Sequence, residues 1–340
     1  MDEKIREILD KYDLSTASVC RGRGAYICTT DRGLCILREY FPDPDRLVFE
    51  SLVKYTIRDR GYMNVDQIIV SREGALFTKN RYDKNFVLRE WFDGRECDMR
   101  SPSDLTALTV NLARLHRAMS KVPLSPEMAQ KYTHTDTRTV LEKHCREMRS
   151  IRNYMKNCRR KKEFENLYLE YYDLFSGQAQ AAVQALDAKD YQDLAERARQ
   201  EHTLCHGDYN HHNVILMRGR GGEGSLPAMA TVNFDRMHPD IQINDLYLFL
   251  RKAMEKNSWD VNLGMSIVQA YDRERPMSRE EKKYLYILML FPEKFWKIAN
   301  HYYNTRKSWA CARNLEKLEA FIHIRALRER FLECFRKKMI

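Results

Sequence analysis

The sequence predicts an α+β fold in which a small antiparallel-sheet region, residues 1–93, precedes a large and mainly helical region, residues 94–340, with a hairpin at 203–235 inside it. Three observations carry this. Before Gly94, β-prone stretches alternate with Gly-containing turns; after it, apolar residues recur three and four apart; and one strand-like interruption breaks the helical pattern. In order, a short helix ends near Tyr12, and Thr16 to Thr30 and Leu34 to Tyr40 read as a hairpin about the turn Asp31-Arg32-Gly33. Leu47, Leu52, Val53 and Ile57 mark a helix, followed by strands at Gln67 to Val70 and Phe86 to Phe92 with Glu73-Gly74 turning between them. Ser103 is placed to cap a helix carrying Leu105, Leu108, Leu112 and Leu115 on one stripe. Further helices are expected over Asp136 to Cys158, Glu163 to Leu186, Arg279 to Asn300 and Leu315 to Lys337. Strands at Thr203 to Met217 and Ala230 to Phe234 flank a Gly-rich turn from Arg218 to Gly224.

Composition narrows the function classes. A chain of 340 residues that is 44% hydrophobic and 31% charged can bury a core and is not a disordered polymer. With 13 Gly and 9 Pro, collagen-like and linker architectures are excluded. The 58 basic against 48 acidic residues give a net charge of +10, which favours anionic partners such as nucleotides, nucleic acid or acidic surfaces without choosing among them. Nine scattered cysteines without a C-x-x-C pair point to a reducing compartment, so a cytoplasmic protein is expected. The opening MDEKIREILD lacks the apolar core of a secretory signal, and the longest apolar run, Tyr284 to Phe291, is far short of the roughly 20 residues that span a bilayer.

The sharpest signal is Leu204-Cys205-His206-Gly207-Asp208-Tyr209-Asn210-His211-His212-Asn213-Val214-Ile215, an H-x-D followed by four residues and N, flanked by apolar strand residues. Phosphoryl transfer needs an acceptor for the substrate hydroxyl proton and, nearby, an oxygen ligand for Mg²⁺; Asp208 and Asn213 supply these two groups on one loop.

This loop, the strand Thr231-Val232-Asn233-Phe234-Asp235, the downstream Ile243-Asn244-Asp245-Leu246 and the helix Leu112-Ala113-Arg114-Leu115-His116 resemble the aminoglycoside phosphotransferase and choline kinase branch of the protein-kinase-like superfamily. Within it, Val87 to Glu96 and the stretch from Asp245 to Asn257 are similar to CotS-type spore coat proteins, and the resemblance covers residues 15 to 335. It implies a bilobal protein-kinase-like fold, ATP and Mg²⁺ as cofactors, Asp208 as catalytic base and Asn213 as metal ligand. It further implies that Glu90 to Phe92 form the hinge meeting adenine and that Gly22 and Gly24 turn over the phosphates. Glu50 is implied to pair with a strand cation, and His206 to shape the loop through backbone hydrogen bonds. Asp245 is expected to cap the helix opening at Leu246. The implied location is the mother-cell cytoplasm and then the spore coat, where other coat proteins become partners.

Two positions depart from the family pattern. The strand cation is Arg38 where Lys is expected, replacing a compact ammonium with a planar fork. The metal-binding Asp is Asn233, a neutral ligand for a hard cation that prefers carboxylates. If the strand runs on through Asp235, alternation puts residues 233 and 235 on one face, and Asp235 becomes a substitute metal ligand. The expected function is therefore a kinase-like coat protein transferring a phosphoryl group from ATP to a hydroxyl acceptor, or a weak or inactive pseudokinase serving coat assembly.

Other features have plainer readings. His206, His211 and His212 lack a Cys or acidic partner at ligand spacing, so no zinc site is expected. His116 is read as packing. The basic run Arg146, Arg149, Arg152, Lys156 and Arg159 to Lys162 is read as a solvated helix face, with docking to an acidic coat partner or nucleic acid as the alternative. No zinc finger, RNP motif or helix-turn-helix supports nucleic acid. Trp296, Tyr302, Tyr303 and Trp309 are read as helix-packing aromatics rather than an acceptor pocket.

Overall fold

A computed structural model describes residues 3–22, 24–41, 43–218, 227–304 and 308–340. The expected Gly-rich turn lies outside these residues from 219 onward, as do Arg23 and the side chain of Trp309. The chain forms two compact units, one of Met1–Lys131 with His202–His238 and one of Tyr132–Glu201 with Pro239–Ile340.

In the first unit, α1 (Glu3–Leu9) lays Ile5, Ile8 and Leu9 against Cys28, Leu37 and Leu88 of the sheet. β1 (Thr16–Gly22), β2 (Ala25–Thr30) and β3 (Gly33–Glu39) form an antiparallel meander. Gly33, at φ 101°, makes the expected turn in a conformation glycine adopts without steric cost. α2 (Pro44–Asp59) is capped by the Asp43 side chain and has Pro44 in its first turn, where a missing N–H costs nothing. β4 (Ile68–Ile69), β5 (Thr78–Lys79) and β6 (Asn85–Glu90) complete the sheet in the order β1-β2-β3-β6-β4, with β5 also on β6.

Next comes β7 (Gly94–Glu96), a strand the sequence pattern does not reveal, and then α3 (Pro102–Ala118). The cap of α3 is Ser101, whose oxygen accepts from the Asp104 N–H; Ser103 lies inside the first turn because Pro102 already starts the helix. β8 (Leu204–Cys205), β9 (Val214–Met217) and β10 (Met229–Thr231) follow. β7 joins β9 and β10 in a second antiparallel sheet, β10-β9-β7. Gly94 permits this pairing, since a Cβ there would stand 2.1 Å from the Leu216 carbonyl oxygen.

The second unit is helical, with spans at Thr137–Asn157, Glu163–Ala185, Lys189–Gln200, Ile243–Lys256, Val261–Glu274, Arg279–Leu290, Glu293–Asn304, Ser308–His323 and Arg325–Met339. The expected helix from Arg279 to Asn300 is two helices, broken at Phe291-Pro292 because proline removes the N–H that would continue the ladder. The span expected from Leu315 is likewise divided, at Ile324. Asp245 is buried in the first turn of its helix, behind Gln242 at the cap, so it is not the capping residue expected.

Aromatic stacking fills this core. Tyr302 lies 3.9 Å from Phe164, Phe295 lies 4.6 Å from Tyr168, and Trp296 stacks on His144 at 3.5 Å while donating to Glu147. Arg146, Arg149, Lys156 and Arg159 to Lys162 are exposed, whereas Arg152 sits over the Tyr172 ring. Among the described residues no helix is long and apolar enough to cross a membrane.

Candidate active site

The loop after β8 is held by its own polar groups. His206 is fully buried, with Nε2 3.1 Å from the Val232 carbonyl and Nδ1 3.3 Å from the Asp208 backbone nitrogen. An N–H only donates and a carbonyl only accepts, so Nδ1 is the acceptor and Nε2 carries the proton. Gly207, at φ 78°, passes so close that a Cβ would stand 2.1 Å from the Arg236 carbonyl oxygen. Tyr209 anchors the loop to α3, donating to the Leu108 carbonyl at 2.7 Å and accepting from Asn111 at 3.0 Å.

These constraints present Asp208 as a half-buried carboxylate with neutral neighbours. Its Oδ1 accepts from Asn210 Nδ2 at 2.9 Å and its Oδ2 from Asn213 Nδ2 at 3.3 Å, while its backbone carbonyl accepts from Asn213 Nδ2 at 2.8 Å. Both amides donate to the anionic form, which orients the carboxylate without neutralising it.

From Asn213 a chain of amides leads outward. Asn233 Nδ2 donates to Asn213 Oδ1 at 2.7 Å, and Arg38 Nη1 donates to Asn233 Oδ1 at 2.9 Å. Chemistry at the two ends sets every orientation. The Asp208 carbonyl can only accept, so Asn213 turns its nitrogen there and its oxygen to Asn233; the guanidinium can only donate, so Asn233 turns its oxygen to Arg38. Both oxygens expected to bind metal thus already hold N–H donors. Asn233 has a left-handed backbone, φ 64° and ψ 61°, and its N–H donates to Asp66 Oδ2 at 3.1 Å.

The expected continuous strand through Asp235 does not form. β10 ends at Thr231, the chain turns at Asn233, and Asp235 lies in a 3₁₀ turn, Phe234–Arg236. Its carboxylate still arrives beside the loop, 3.1 Å from Arg89 and 4.0 Å from Arg38. A resident Mg²⁺ does not fit this donor set as arranged. The two amides are neutral and engaged with donors, and the carboxylate already faces two guanidinium groups.

Beneath these groups lies a buried ion cluster whose pairing differs from expectation. Glu50 does not pair with Arg38. One helical turn along α2, Lys54 reaches Glu50 Oε1 at 2.5 Å, and Arg89 of β6 grips both Glu50 oxygens at 3.0 and 2.9 Å. Ile36 of β3 opposes Arg89, so Arg38, two residues on, shares that sheet face, but it is the guanidinium of β6 that reaches Glu50.

Lys54 also lies 2.7 Å from Asp66 Oδ1, and Glu50, Lys54 and Asp66 are all buried. Burial alone would raise the pKa of Glu50, but Lys54 and Arg89 outweigh it and hold the carboxyl below its ordinary value. At Asp66 burial wins, and the pKa is raised despite Lys54. Lys54 was legible as an i,i+4 partner of Glu50, and Arg89 as a lone charge after the apolar run Phe86 to Leu88. Asp66 carried no sequence signal.

Elsewhere in this unit, Gly22 pairs with Ala25 across the β1–β2 turn and Gly24 has φ 65°. At the expected hinge, the Glu90 and Trp91 N–H groups donate to the Gln67 and Leu34 carbonyls, each at 2.8 Å, and the Glu90 side chain lies 3.3 Å from Arg58. Phe92 packs against the cluster of Ile215, Ala230 and Val232.

Comparison with known proteins agrees with this fold. In fold, the chain is similar to an aminoglycoside phosphotransferase from Alicyclobacillus acidocaldarius, at 18% identity and TM-score 0.86 over 98% of this chain and 96% of the other. It is also similar, at 15% identity and TM-score 0.57 over 94% of this chain and 93% of the other, to an amicoumacin kinase solved with AMP-PNP and Ca²⁺. Both show a kinase-like fold. In sequence, it is 20% identical to spore coat protein S of Bacillus subtilis over 98% of this chain and 93% of that protein. Residues 5–335 match the family model described as "Spore coat putative kinase YutH", and the chain belongs to that family of kinase-like spore coat proteins.

Proposed function

We propose that this protein is a coat component that keeps a kinase-like nucleotide site without a resident magnesium ion, and is catalytically weak or inactive. The observation that carries this reading is the chain from Asp208 through Asn213 and Asn233 to Arg38, in which the guanidinium donates to Asn233 Oδ1 and Asn233 Nδ2 donates to Asn213 Oδ1, so that both oxygens a metal would need are engaged. A monovalent cation on a side chain cannot bridge phosphate oxygens as a dication does, and losing that charge stabilisation removes much of the rate of a reaction that depends on positioning and electrostatics. In this reading Arg38 meets the phosphates, Gly22 and Gly24 turn over them, and Glu90 to Phe92 meet the base. Coat proteins would be its assembly partners.

A second reading is favoured by Asp208 itself, a carboxylate oriented by two amides on a rigid loop. In an active enzyme it would receive the proton of the acceptor hydroxyl as the γ-phosphoryl group of ATP is transferred. Thermal shift and ATP hydrolysis, with and without Mg²⁺, separate the two on wild type, Asp208→Ala and Asn233→Asp. The first reading expects nucleotide to stabilise wild type equally with and without Mg²⁺, because only ligands of the native state raise its melting temperature. It expects Mg²⁺ dependence to emerge in Asn233→Asp. Mg²⁺-dependent hydrolysis by wild type that is lost in Asp208→Ala would establish the second.

A further inference from the structure

The loop carries two histidines that the phosphotransfer reading does not use. The chain supplies His211 and His212 with the acidic partner that sequence spacing lacks. β7 pairs with β9 so that Glu96 lies opposite Ile215, and this places its carboxylate beside the histidines although it is more than a hundred residues away in sequence. Glu96 Oε2 is 2.9 Å from His212 Nδ1, the two imidazole rings are 3.9 Å apart, and one ligand atom from each of the three residues lies within 4.8 Å of the others.

We propose that Glu96, His211 and His212 form a binding site for one Zn²⁺-type transition-metal ion. Two imidazoles and a carboxylate are a recurrent zinc donor set, with water in the fourth position. Ligand atoms about 2.0–2.2 Å from a tetrahedral ion stand roughly 3.4 Å apart. The observed spacing brackets that value, and Glu96 and His212 are both exposed, so their rotamers can adjust. Imidazole nitrogen selects Zn²⁺, Co²⁺ or Ni²⁺ over Mg²⁺ and Ca²⁺, which distinguishes this site from the all-oxygen position at Asn213 and Asn233.

Its effect would be to clasp the loop to β7. The His212 N–H donates to Asn210 Oδ1 at 2.9 Å, and Asn210 Nδ2 holds Asp208 Oδ1, so one amide links the metal ligand to the carboxylate of Asp208. The site stands whether or not the protein transfers phosphate.

The test is titration of the full-length protein with Zn²⁺ by calorimetry and with Co²⁺ by visible absorption, on wild type, Glu96→Gln and His212→Asn. These exposed substitutions leave the core untouched, and circular dichroism confirms folding. The expected results are one ion per chain, tetrahedral Co²⁺ bands without thiolate charge transfer, and affinity lowered at least about tenfold in each variant. Hydrogen exchange of the amides from Tyr209 to Asn213 should slow with Zn²⁺ in wild type alone. Absence of binding, a thiolate signature from the cysteines, or equal affinity in the variants would overturn the proposal.

Discussion

Two neighbouring regions of the first unit solve the problem of buried polarity in opposite ways. The cluster of Glu50, Lys54, Asp66 and Arg89 uses full charges in contact, whereas the chain from Asp208 to Arg38 sets two amides between its charged ends, passing hydrogen bonds in one direction. Charge in a buried site is costly unless every member is paired, so the cluster resists single substitutions. Amides carry no net charge, so the second region can change at lower cost. The charged cluster is therefore the more constrained of the two regions and the amide chain the freer to vary.

The largest effect should come from Glu50→Ala, which leaves Lys54 and Arg89 buried without their shared partner. Urea denaturation should show a loss of about 3–5 kcal/mol. A loss below about 1 kcal/mol would erase the distinction between the regions. Acid titration sharpens the same point. The folded-state pKa of Glu50 is depressed, so its contribution is present above the ordinary carboxyl value of 4.5 and is lost as pH falls through the lower folded value. Asp66, with a raised pKa, works in the opposite sense. In Asp66→Asn, the fall in stability with acid should therefore begin at higher pH and be steeper, because the opposing rise is gone, and adding Glu50→Gln should flatten that decline.

Gly207→Ala should come next. Its Cβ would overlap the Arg236 carbonyl at a positive φ, and a loss of at least about 2 kcal/mol is expected, with faster hydrogen exchange at Asp208. Asn213→Ala removes two neutral hydrogen bonds and a long one to the Asp208 carboxylate, and about 1–2 kcal/mol is expected by the same denaturation. Smallest is Arg95→Ala. This exposed arginine grips Asp104 at 2.6 and 3.0 Å, yet its loss should cost less than about 1 kcal/mol and shrink further in salt. Equal costs for the last two would show that burial does not separate an internal amide from a surface ion pair.

Much of the candidate site was readable where local chemistry sets it. H-x-D followed by four residues and N, the turn at Gly33 and the stripe on α2 are all short-range patterns, and the departures at Arg38 and Asn233 stood out against them. What stayed hidden depends on pairing across long separations. Glu96 reaches His212 only because β7 joins β9, and Arg89 meets Glu50 only through the packing of β6 against α2. The expected strand through Asp235 failed for a local reason that alternation cannot see, a left-handed residue at 233. In the second unit, Pro292 was visible but its break was not read, and the polar face of Lys189–Gln200 concealed a helix with a single buried leucine.

The backbone at residue 233 also governs which side chains can succeed one another there. Positive φ is tolerated by glycine, asparagine and aspartate and penalises branched or bulky residues. Substitution is thus channelled into a narrow set in which amide and carboxylate are near-isosteres separated by one codon base. Ionic character at this spot can be gained or surrendered over generations while the surrounding main chain stays as it is.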